Sequence, residues 1–249
     1  MLTAFLWGLL ATSSLLWGGL IATQVTLSKK FVGIIMAFGA GTLISAISYE
    51  LIFEAVQMAR LTGFPALGLF AGALTFFGSD ALIARFSAAK PTDLDTSAQS
   101  KLVVPMVLAI ILDGIPESIV IGLGILEGGT VSLAMLAAVF ISNLPEAIAG
   151  SVGMSAAGAS RGKILSLWCV IALVCALASA AGFSLFADIP AHWMAFVQAF
   201  AGGAILMMLA NSMMPEAYEH GGKLAGVFTV LGFCASVAIV ILEHSRNVG

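Results

Sequence analysis

The sequence predicts an all-α membrane protein, a single domain of residues 1–249 built as a bundle of eight transmembrane helices. Three observations carry this. Of the 249 residues 60% are hydrophobic and only 9% charged, where an ordinary soluble protein has about 25% charged residues. The 10 basic and 13 acidic side chains could not cover a soluble domain of this length. The apolar residues also come in successive stretches of about 20 or more, each able to cross a ~30 Å hydrocarbon layer at about 1.5 Å per residue.

Cutting at polar or Gly/Pro punctuation gives spans of 2–27, 31–59, 64–86, 102–126, 130–155, 163–187, 192–218 and 222–243. The first lacks a basic leader and a small-residue cleavage site, so it reads as a retained span. The second follows Lys29 and Lys30 and ends on two acids, Glu50 and Glu54. The third carries Asp80. A polar loop, 87–101, with Lys90, Pro91, Asp93 and Asp95, then separates three helices from five. The fourth and fifth contain Leu112-Asp113-Gly114-Ile115-Pro116-Glu117-Ser118 and Ser142-Asn143-Leu144-Pro145-Glu146-Ala147. The sixth is apolar, the seventh holds Pro215-Glu216, and the eighth begins after Gly221-Gly222. Cys169, Cys175 and Cys234 lie within apolar stretches without a CxxC spacing, as packing residues do. A formal charge of −3 gives no cue for nucleic acid.

Lys29, Lys30, Arg85, Lys90, Lys101, Arg161, Lys163 and Lys223 fall on one side of this bundle, and Arg60 and Arg246 on the other. The base-rich side is expected to be cytoplasmic, which places both termini outside the cytoplasm. Ala37-Phe38-Gly39-Ala40-Gly41 through Phe53-Glu54-Ala55 also matches Ala199-Phe200-Ala201-Gly202-Gly203 through Pro215-Glu216-Ala217, 162 positions on. Gly68-Leu69-Phe70 echoes Gly226-Val227-Phe228. With the second span running outward and the seventh inward, spans 1–3 and 6–8 form inverted repeats, an arrangement characteristic of transporters.

Acids dominate the interior: Glu50, Glu54, Asp80, Asp113, Glu117, Glu146 and Glu216, with Glu219 near a span end and no Lys or Arg deep in any span. An ionised carboxylate at the bilayer centre costs at least about 2.5–3.5 kcal/mol, so protons or metal cations must neutralise these groups. Residues four apart share a helix face, which pairs Asp113 with Glu117 and Ser142 with Glu146, and Asn143 lies on the same side. Pro116 and Pro145 cannot donate to the carbonyls of Leu112 and Ile141, so two kinked helices would present bare carbonyls beside those side chains. The Pro-Glu ending recurs at Pro215-Glu216, and Glu50/Glu54 keep the spacing with Phe53 in place of proline. The set forms a candidate cation cage.

Together these motifs resemble the ZIP (Zrt/Irt-like) family of divalent metal transporters over nearly the whole chain. The resemblance implies a ZIP-like bundle of three, two and three helices and a metal site halfway through the membrane. It implies that Glu117 and Glu146 are ligands, with Asp113 and Ser142 where that family has histidine or glutamine. Asn143 would match a further ligand, Glu216 the ending of span seven, and Glu50 and Glu54 the residues that line the metal path. Gly114 replaces an asparagine. The transported substrate would be a divalent ion such as zinc, iron, manganese or cadmium, moved into the cytoplasm across a plasma or bacterial inner membrane, and the chain may pair as a homodimer. Spans 1, 4, 5 and 6 would move against 2, 3, 7 and 8.

The departures bear on selectivity. His192, His220 and His244 all sit at span ends, leaving a central site of oxygen ligands alone. Such ligands suit Mn²⁺, Mg²⁺ or Ca²⁺, whereas imidazole suits Zn²⁺ and Fe²⁺. His220 with Glu216 and Glu219 forms either a metal landing site or a solvated helix end. A different class is a proton-coupled carrier of a non-metal solute. An intramembrane enzyme is a third, but the chain has no HExxH and no Gly-x-Ser-x-Gly.

Overall fold

The computed structural model describes residues 1–59, 62–88, 98–128 and 131–248, with side chains for all of these except 86–88, 98–107, 109, 127–128, 244 and 246–248. Among the described residues every regular element is a helix: α1 (Leu2–Ala22), α2 (Lys29–Ala46), a π-helical segment π1 (Ile47–Phe53), α3 (Glu54–Met58), α4 (Phe64–Ala88), α5 (Ala98–Gly128), α6 (Leu133–Ala156), α7 (Arg161–Leu185), α8 (Ala191–Met208), π2 (Leu209–Met213), α9 (Met214–Gly221) and α10 (Leu224–Val248). Seven segments among those residues are long and apolar enough to cross a membrane, with α2–π1–α3 and α8–π2–α9 each counting as one. The molecule therefore has the character of a multi-pass membrane protein. The 31-residue α5 has the length of a span, although the side chains of its first part lie outside the described residues.

The expected polar loop at 87–101 is shorter than that. Helix α4 runs on to Ala88 and α5 begins at Ala98. Residues 89–97, with Lys90, Pro91, Asp93 and Asp95, lie outside the described residues, as do Arg60 and the side chains of Lys101, His244 and Arg246.

Local chemistry sets the helix ends. Ser28 Oγ accepts from Phe31 N at 3.2 Å and Ser132 Oγ from Met135 N at 3.1 Å, each covering an orphan N–H of the first turn. Helix α9 stops at Gly222, whose φ of 61° lies in the left-handed region that favours glycine. The π-helical segments share a physical feature. Ser48 Oγ donates to Ile44 O at 2.7 Å and Ser212 Oγ to Met208 O at 3.3 Å, drawing on carbonyls at the start of each wide turn. Pro215 also leaves Asn211 O without its α-helical donor. Span two has Phe53 at the matching position and still widens, so proline is not required.

The packing sorts the helices into two groups. In the first, α1 packs on α6 and α7, and α5 on α7. Polar cross-links reinforce it: Ser179 Oγ donates to Ala4 O at 2.9 Å, Thr12 Oγ1 to Ala172 O at 3.3 Å, and the buried Trp168 Nε1 to Ser151 Oγ at 2.8 Å. Such bonds in membrane bundles average about 0.6 kcal/mol each. In the second group α2 packs on α10 and α4 on α8, and backbones touch backbones. A Cβ on Gly41 would strike Thr229 O and one on Gly232 would strike Phe38 O, just as Gly203 faces Leu69 O and Gly72 faces Phe200 O. Phe38 and Gly41 stand 162 residues before Phe200 and Gly203, while Leu69 and Gly72 stand 160 before Thr229 and Gly232. The third and eighth spans thus correspond two positions away from the Gly68/Gly226 alignment that sequence similarity suggests, because close backbone contact sets the register. The two groups meet mainly where α2 packs on α6 and where α5 packs on α4 and α8.

Candidate functional site

Helices α5 and α6 bring the expected central residues together at this seam. Glu117 is 2% exposed. Asn143 Nδ2 donates to its Oε2 at 3.3 Å and to Val139 O at 2.9 Å, and Ser142 Oγ donates to Val139 O at 3.1 Å. Glu117 Oε1 is buried and has no hydrogen-bond partner. Asp113, Glu117 and Glu216 all lie within electrostatic reach of Glu146, and Asp80 within reach of Asp113. The charges that press on Asp113, Glu117 and Glu146 are other carboxylates. Glu216 has His220 beside it.

The prolines act differently from expectation. Both remain inside continuous helices, Pro116 in α5 and Pro145 in α6. The Ile141 carbonyl that Pro145 leaves undonated is covered by α2, where a Cβ on Gly39 would stand 3.3 Å from that oxygen and 3.0 Å from Ser142 Cα. Helix α2 can lie this close because position 39 has no side chain, and the carbonyl faces a neighbouring backbone.

Glu50 and Glu54 stand apart from the central set. They line a cavity of about 620 Å³ with Gln57, Ser132, Gln198 and Glu243, in which Val120, Ile121 and Met135 form part of the apolar wall. Those three also belong to a packed layer with Met36, Leu43, Met208 and Met213. Ile121 follows Glu117 by one turn, about 6 Å along the axis, so this layer separates the cavity from the central carboxylates. Glu243 was not singled out by the sequence. Its Oε1 accepts from Leu133 N at 2.6 Å and its Oε2 from Ala134 N at 3.3 Å, capping α6 from the end of α10. No local motif announces a cap supplied 110 positions away.

His220 Nδ1 donates to Glu216 O at 3.0 Å within its own helix, which favours the helix-end role for this ring. Among the described residues no three His, Cys, Asp or Glu side chains are set to hold a metal ion together. The arrangement is a cluster of carboxylates with one idle buried oxygen, able to accept a cation or a proton but not closed into a coordination shell. No family model matches the chain, and no curated protein matches it.

Proposed function

We propose that this protein moves a divalent cation across a membrane through the Asp113, Glu117, Glu146 and Glu216 carboxylates, with Ser142 and Asn143 as neighbouring oxygen donors. One observation carries the reading: Glu117 keeps a carboxylate oxygen without a partner while 2% exposed, among carboxylates and with no basic side chain pressing on it. A buried anion so placed is costly unless a cation or proton joins it. In this reading the chain is an eight-span, ZIP-like carrier rather than an enzyme, with α5 as the fourth span. The matched π-helical segments and duplicated glycine contacts support two inverted three-helix repeats.

The seam gives such a carrier a way to work. Glu117 and Glu146 belong to the α1/α5/α6/α7 group, whereas Glu216 belongs to the other, and the cavity draws its wall from both. Sliding one group past the other would open the apolar layer on one side, let Glu50 and Glu54 collect the ion, and pass it to the central carboxylates. The Glu216 end then leads to the cytoplasm, with both termini outside. Impermeant labelling of a cysteine introduced at the carboxyl end, in a background without native cysteines, is expected in intact cells. Labelling only after lysis would reverse the sidedness.

In proteoliposomes holding purified protein, Zn²⁺, Mn²⁺ or Cd²⁺ is expected to enter against an impermeant indicator. Glu146→Ala is expected to abolish that flux while the protein still inserts. Flux of protons with a non-metal solute, unaffected by these ions, would favour the proton-coupled carrier instead.

A further inference from the structure

Cys175 is 1% exposed on α7, within the helix group that carries Glu117 and Glu146. Its sequence neighbours are apolar, yet its surroundings in space are not. A Cβ on Gly114 would stand 2.9 Å from Cys175 Sγ, so the thiol fills the space above the one residue in the α5 motif that lacks a side chain. Ser118 stands beside the thiol, and Glu117 and Glu146 are within electrostatic reach of it. Two oxygens around this sulfur are buried and idle. Ser118 Oγ, in a residue 0% exposed, and Glu117 Oε1 complete no hydrogen bond. Cys169 and Cys234, by contrast, are exposed.

We infer that Cys175 is a sulfur donor to the transported ion and sets its selectivity, an inference that rests on the divalent-cation reading above. A thiol used only for packing would need apolar neighbours, whereas this one borders two oxygens that lack a partner until something enters between them. Entry of the ion replaces the S–H bond with a metal–sulfur bond, and the thiol proton leaves to a neighbouring carboxylate or to water. The side chains must turn toward the ion to close the shell, since they do not enclose one as they stand. A sulfur among oxygens shifts the site from Mn²⁺ toward Cd²⁺ and Zn²⁺, because thiolate is the softer donor. The glycine at 114 has a role in this: a side chain there would displace the sulfur.

The test uses the full chain, purified in detergent, with Cys169→Ser and Cys234→Ser so that Cys175 is the only thiol. Cd²⁺ titration is followed by ultraviolet thiolate-to-cadmium charge-transfer absorption and by competition with Mn²⁺. The expected result is a saturable band that Cys175→Ser removes, with Cd²⁺ affinity falling by about tenfold or more and Mn²⁺ affinity changing by less than about threefold. Cys175→Ala, checked for folding by circular dichroism and gel filtration, should behave alike. Cd²⁺ binding without the band, and unchanged in Cys175→Ser, overturns the sulfur donor and leaves the divalent-cation reading intact. Failure of every variant to bind Cd²⁺ or Mn²⁺, with Glu117 present, sinks that reading and the inference with it.

Discussion

Helix α6 is held by a carboxylate at two places, and the two carboxylates are used in opposite ways. At its N-terminus Glu243 spends both oxygens on backbone N–H groups, at 2.6 and 3.3 Å, in the wall of a cavity of about 620 Å³. At its middle, Glu117 takes one bond from Asn143 at 3.3 Å and leaves the other oxygen idle, although it is the more deeply buried residue. Burial alone would predict the reverse, since an unpaired polar atom is costly where water is absent and cheap where water is near. The carboxylate that completes its bonds serves structure. The one that does not is held ready for something else, and changing each should show this.

The largest effect is expected at Glu117. In Glu117→Gln the amide carbonyl can still accept from Asn143, while an NH₂ replaces the idle oxygen at nearly unchanged volume, so the substitution removes an ion ligand and little else. Ion flux in proteoliposomes should fall to the protein-free background. Thermal unfolding in detergent should occur at the wild-type temperature or above, because a buried ionisable group has been made neutral. Flux that survives in a well-folded Glu117→Gln protein would remove the main support for a central cation site.

The contrast also marks what could be read from the amino-acid sequence. Asp113, Glu117, Glu146 and Glu216 were visible because a carboxylate in an apolar span has few neutral explanations, and the four-residue spacing correctly put Asn143 and Glu117 within one hydrogen bond. The spans were legible for the same reason, from uninterrupted apolar length. Glu243 was hidden because its partners are backbone atoms on another helix. The π-helical turns were hidden because their serines look ordinary among small residues. The Ile141 carbonyl was misread because Gly39 of α2, more than a hundred positions away, decides what covers it. Cys175 was passed over since its chain neighbours are apolar and only the fold sets it beside Ser118. Each miss is a tertiary contact, and the predictions at Glu243 probe one of them.

A smaller effect is expected at Glu243. Glu243→Ala strips two acceptors and a negative charge from the α6 N-terminus, a loss of about 1 kcal/mol by analogy with other caps. Glu243→Gln, which keeps one acceptor, should lose less. Thermal unfolding should follow that order, while ion flux per folded molecule stays above half of the wild-type rate. A stable Glu243→Ala protein without flux would mean that this carboxylate meets the ion in the cavity.

The smallest effect is expected at Ser132, and it tests whether the two caps on α6 act as one. Ser132 Oγ covers only Met135 N, Glu243 still covers Leu133 and Ala134 in Ser132→Ala, and water in the adjoining cavity can reach the freed N–H. The cost should therefore lie near the lower limit for caps, about 0.5 kcal/mol. Both residues screen the same helix end, so losing one makes the other matter more. The double variant should cost more than the two single losses together, by about 0.5 kcal/mol, in a cycle of thermal unfolding measurements. Strict additivity would mean that Glu243 fastens α10 to α6 as a tether between the two helix groups, with no share in stabilising the helix end itself.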